Sequence, residues 1–114
     1  MAITAMNPAT GKTIKSYEEL TTAQANEAIG ESHEAWEAWR TTTFAERATL
    51  MKRAGEILRG RKAELAGLMA EEMGKPLKQG IAEAEKSAWG CEYFANSAEV
   101  LLAPETVNSA ARRS

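Results

Sequence analysis

The chain has 114 residues, 44% of them apolar, 26% charged and 6% aromatic, with 14 Lys and Arg against 16 Asp and Glu. A net charge of -2 leaves no basic excess to neutralise nucleic-acid phosphates, and a single Cys with a single His supplies neither a disulfide framework nor an ordinary structural zinc site. No apolar run approaches the roughly 20 residues of a membrane span, Met1 to Ser16 lacks the basic and apolar pattern of a secretory leader, and a reduced, cytoplasmic setting is the default.

In chain order, Ile3, Met6, Ile14 and Tyr17 suit strands, and Asn7-Pro8-Ala9-Thr10-Gly11 between them is a turn signal. The spacing predicts a short hairpin or extended pair over residues 1–20, which must lean on something else because two strands alone are marginal in water. From Thr21 the pattern is helical. Ala25, Ile29, Ser32, Trp36 and Trp39 recur at steps of three and four, predicting a helix over about 22–40 with one buried stripe. Thr43 with Glu46 is a capping-box pair that opens a second helix, whose face carries Phe44, Ala48, Met51, Gly55 and Leu58, widened by Leu50, Ala54 and Ile57, and which ends near Gly60. A third helix, 61–73, turns Leu65, Leu68, Met69 and Met73 inward. Gly74 sits where a left-handed residue ends a helix, and Pro76 starts the next one. The fourth helix runs over about 77–102 with Leu77, Ile81, Ala84, Ala88, Cys91, Ala95 and Leu102 on one face, and Pro104 stops it. The fold class is therefore mainly α, about four helices behind a short hairpin, with the three Trp, two Phe and two Tyr expected to anchor the core. Gly30, Gly55, Gly60, Gly67, Gly80 and Gly90 fall within or between the helices; they read either as points of close packing or, more commonly, as tolerated glycine at about 1 kcal/mol each.

The side chains offer little chemistry. Cys91 lies inside an amphipathic pattern beside Gly90 and Glu92, with no base or positive field to make a thiolate, and reads as a packing thiol. His33 stands among Glu31, Glu34 and Glu37 with no nucleophile near it in sequence, an exposed helix histidine. Of the carboxylates Glu71, Glu72, Glu83 and Glu85, the last two point about 200° apart around a helix and cannot form one acid–base dyad. Glu37–Arg40, Glu56–Arg59 and Glu83–Lys86 have the spacing of surface ion pairs. Residues 16–39 carry six acids and no Lys or Arg, whereas 47–62 carry six basic residues and one acid, a segregation able to steer the two helices onto each other or onto a partner. Gly74-Lys75-Pro76 lacks the further glycines and the hydroxyl of a phosphate loop. Read from the residues, the chain has no catalytic, cofactor-binding or metal site.

The order of these signals nevertheless resembles one family. Asn7-Pro8-Ala9-Thr10-Gly11-Lys12-Thr13-Ile14 is similar to the turn that opens aldehyde dehydrogenases. Ala35-Trp36-Glu37-Ala38-Trp39 and Thr43-Phe44-Ala45-Glu46-Arg47-Ala48 resemble that family's first-helix tryptophan and the Ser/Thr-x-x-Glu-Arg segment after it. Leu65-Ala66-Gly67-Leu68-Met69 into Glu72-Met73-Gly74-Lys75-Pro76-Leu77 is similar to its Glu-x-Gly-Lys-Pro stretch. Ala82-Glu83-Ala84-Glu85-Lys86 and Trp89-Gly90-Cys91-Glu92-Tyr93-Phe94-Ala95 resemble its succinate-semialdehyde branch. The likeness runs from about Ile3 to Ser114.

The resemblance implies an α/β parent fold with a doubly wound cofactor domain, and a parent reaction in which NAD or NADP accepts hydride from a cysteine-bound aldehyde adduct. It also implies that the oxyanion Asn, the cofactor Lys, the Gly-rich segment, the general-base Glu and the nucleophilic Cys lie beyond this region, so that Cys91 matches a helix position and the chain alone is inactive and binds no cofactor. On this reading 1–20 is the extended part, 21–103 a helical layer of the cofactor domain and 104–114 the start of a strand, with Ala111-Arg112-Arg113-Ser114 leading into it. Partners would be the remainder of the enzyme or homologous subunits, in a homo-oligomer, without nucleic acid or membrane. A monovalent-cation site of some relatives would fall on Ala5, Met6 and Glu83. The rival expectation is a self-standing helical interaction or regulatory module built from the same segment.

Overall fold

A computed structural model describes residues 3–107. The elements are β1 (Ile3–Met6), β2 (Thr13–Tyr17), α1 (Thr22–Trp39), α2 (Phe44–Gly60), α3 (Lys62–Met73) and α4 (Leu77–Leu101). Four helices behind a two-stranded antiparallel hairpin match the fold class that the periodicities predict.

Local chemistry accounts for most boundaries. In the hairpin turn the Asn7 carboxamide accepts from the Ala9 and Thr10 N–H groups at 2.9 and 3.3 Å, and Gly11 takes φ 66°, a conformation that costs a residue with a Cβ. Ile3 pairs with Tyr17, and a bulge at Ala5/Met6 brings Met6 opposite Thr13. Thr21 with Gln24 and Thr43 with Glu46 form full capping boxes on α1 and α2. The Thr21–Gln24 pair has the same S/T-x-x-E/Q form as the predicted one and was legible in the same way. Gly74 ends α3 at φ 68°, donating its N–H to Ala70 at 3.0 Å, and Pro76 heads α4, which stops at Leu101, short of Pro104. The hairpin turn comes close to the helical part at Gly74, where an added Cβ would lie 3.1 Å from Pro8 Cγ.

The core differs from expectation. The buried apolar side chains are Ala66, Ala84 and Ala88, joined by Gly55 and Gly80. A Cβ on Gly80 would meet Ala66 Cα and Cβ at 2.9 Å, and one on Gly55 would meet the Ala88 carbonyl at 3.0 Å. Small residues thus let α4 approach α3 at one level and α2 at another. These two glycines are close-packing positions, whereas a Cβ at Gly30, Gly60, Gly67 or Gly90 would meet nothing within 4 Å. None of the seven aromatic side chains is buried: Trp36, Trp39 and Trp89 are 48, 45 and 59% exposed, and Phe44, Phe94, Tyr17 and Tyr93 are exposed as well. Leu68, Met73, Leu77, Ile81 and Leu102 are also exposed, as is the whole predicted stripe of α1 from Ile29 to Trp39; only Ala25 is half-covered. The steps of three and four do place these residues on shared faces, but among the described residues these faces stay largely uncovered. α4 packs on α2 and α3, while α1 packs extensively on no described element. The radius of gyration is 20.4 Å, against about 13 Å for a compact domain of this length.

Candidate functional site

Three constellations hold the polar chemistry. The first is the α1–α2 junction. Thr43 Oγ1 accepts from the Glu46 N–H at 3.2 Å, and Glu46 Oε2 accepts in return from the Thr43 N–H at 2.7 Å and hydroxyl at 2.8 Å. Those donations, the backbone one first, hold the Glu46 carboxyl below the ordinary carboxylate value. Arg47 turns the other way. Its Nε donates to Thr42 Oγ1 at 2.8 Å, a terminal nitrogen donates to the Trp39 carbonyl at 2.9 Å, and the guanidinium sits 5.4 Å from the Trp39 ring centroid. The Thr-x-x-Glu-Arg segment therefore starts one helix with its acid and satisfies the end of the previous helix with its base.

The second constellation joins three helices. Arg59 of α2 donates both terminal nitrogens to Glu92, at 2.6 and 3.1 Å, and its Nε to Glu85 at 3.1 Å; Lys62 of α3 reaches Glu85 at 2.5 Å. All four side chains are part-buried. The Glu92 and then the Glu85 hydrogen bonds raise the Arg59 guanidinium's affinity for its proton. Lys62 first, then Arg59, holds Glu85 low, and Arg59 holds Glu92 low. Sequence spacing suggested Glu56–Arg59 and Glu83–Lys86 instead; Glu56 pairs with Arg53 at 2.8 Å and Glu83 with Lys75. Arg40 likewise leaves Glu37 and lies 4.8 Å over Trp36, while Glu37 is 3.8 Å from His33. The tertiary partner wins because α4 presents two carboxylates seven residues apart, hence on one face, to a forked cation that can take both. That spacing was the available signal. The basic segment engages the acids of α4 rather than those of α1.

The third is an apolar groove of about 310 Å³ where the start of α2 meets the end of α4, walled by Trp39, Phe44, Met51, Phe94 and Leu102, with Arg47 and Glu99 on its lining. It is open and mostly hydrocarbon, the character of a packing surface.

The residues singled out from sequence do not converge. Cys91 is half-buried, its Cβ facing Gly55 across the α2–α4 contact. His33 is exposed and stacks on Trp36 at 5.5 Å between centroids. Glu71 and Glu72 are exposed on α3, and Glu83 and Glu85 turn to different cations. Ala5 and Met6 lie in β1, and the Glu83 carboxylate already holds the Lys75 ammonium, so a further cation there would meet like charge. Among the described residues no three His, Cys, Asp or Glu side chains group as metal ligands. The strands lead into each other and into the Thr21-capped start of α1, not through a glycine-rich turn onto a bare helix N-terminus of the kind a dinucleotide pyrophosphate uses. The segment Ala111 to Ser114, expected to begin a strand, lies outside the described residues, and 104–107 carry no regular structure.

The family's sequence profile, described as the aldehyde dehydrogenase family, matches residues 1–114. This chain belongs to the aldehyde dehydrogenase family. A probable succinate-semialdehyde dehydrogenase [NADP(+)] of Synechocystis is 38% identical over 114 residues, which is 100% of this chain and 25% of that protein. Among solved structures, Gox0499 superposes with a TM-score of 0.91 at 28% identity, covering 98% of this chain and 25% of its own. Succinate-semialdehyde dehydrogenase from Burkholderia pseudomallei superposes with a TM-score of 0.85 at 27% identity, covering 97% and 23%. The chain thus spans about a quarter of the length of these relatives, corresponding to the amino-terminal part of such aldehyde dehydrogenases. No helix among the described residues is long and apolar enough to cross a membrane.

Proposed function

We propose that this chain acts as the amino-terminal helical layer of an NADP- or NAD-dependent aldehyde dehydrogenase that oxidises succinate semialdehyde or a similar aldehyde to its acid in the cytoplasm. The observation that carries this is the 38% identity along the full chain to the Synechocystis relative, whose name specifies that aldehyde and NADP(+). In this reading residues 1–20 form the extended start, 21–103 cover the cofactor domain, and 104–114 lead towards the next strand. No side chain of the segment touches the aldehyde or the dinucleotide. Its partners are the remainder of the enzyme or homologous subunits, and the working form is a homo-oligomer. The uses to which its polar groups are put support this role: Thr43, Glu46 and Arg47 finish helix ends, and Arg59 ties three helices together. The test is a chimera in which this chain replaces the matching quarter of the Synechocystis relative. The chimera is expected to reduce NADP+ with succinate semialdehyde, followed at 340 nm, while the chain alone gives no turnover. An inactive, folded chimera, or turnover by the chain alone, overturns the reading.

A stand-alone helical interaction module is the second reading, favoured by the Arg59 network, which links α2, α3 and α4 without any outside group. A cooperative thermal transition with near-ultraviolet tryptophan signal from the chain alone, combined with an inactive chimera, would decide for it.

A further inference from the structure

We draw no further inference here: the strongest candidate, the exposed aromatic patch that Trp89, Tyr93 and Phe94 form along α4, is an unpartnered apolar face, and nothing in the structure shows what covers it.

Discussion

Gly80 and Ala66 approach so closely that a Cβ on the glycine would stand 2.9 Å from both Cα and Cβ of the alanine. The contact is backbone against backbone and has no flexible tip that can swing aside. Gly80→Ala is expected to cost about 1–2 kcal/mol net, the overpacking penalty of ~1–3 less the gain in helix propensity. Gly90→Ala, on the same helix with open space around the added methyl, should stabilise by about 0.5–1 kcal/mol. Thermal melts followed at 222 nm check the pair. Equal shifts of the same sign would show that α3 and α4 do not touch there.

The α1–α2 junction depends on one hydroxyl. Thr43→Ala removes the acceptor for the Glu46 N–H and one of the donors to its carboxylate, and is expected to cost about 1 kcal/mol. Thr43→Ser keeps both and should lie within a few tenths of wild type. Urea unfolding midpoints distinguish them, provided the slopes match.

Acid sensitivity follows from the direction in which the carboxylates are shifted. Glu46, Glu64, Glu85 and Glu92 are all held below their ordinary value of 4.5 in the folded chain. The unfolded chain therefore binds more protons just below that pH, so their stabilisation is complete above it and is lost as the pH falls through their lowered values. Arg59 and Arg61 are shifted upwards, so their contribution is present throughout the working range and fades only far into alkali. Urea midpoints measured from pH 7 to pH 2.5 should fall in the acid limb. Arg59→Gln should lower the neutral plateau and flatten that limb, because Glu85 and Glu92 then titrate closer to their ordinary value. An unchanged pH profile in the variant would mean that the network carries no folding energy.

Cys91 offers a test of role rather than stability. Its Cβ lies near Gly55 in the α2–α4 contact. In the active chimera Cys91→Ala is expected to keep kcat within a factor of about two, whereas loss of an activated nucleophile costs several powers of ten. A collapse of kcat with KM and Tm intact would return Cys91 to the chemistry.

Element boundaries were largely legible because they are written in local chemistry: Asn7 and Gly11 in the turn, Thr43 with Glu46 at a helix start, Gly74 and Pro76 between α3 and α4. The core was not, for a physical reason. Periodicity tells which residues share a face and says nothing of what stands opposite, so Trp36, Trp39 and Leu68 line correctly spaced stripes that the described residues leave uncovered. Gly55 and Gly80 leave no trace in periodicity, because a missing side chain gives no pattern to count. Helix spacing matches Arg59 to Glu56, whereas Glu85 and Glu92 on one face of α4 offer it two acceptors at once.

The uncovered aromatics also bear on how this segment fares before its faces are covered. Exposed tryptophan and phenylalanine are the surfaces that chaperones and proteases engage, so a variant that slows covering should lower the yield of folded protein even where it leaves the melting point unchanged.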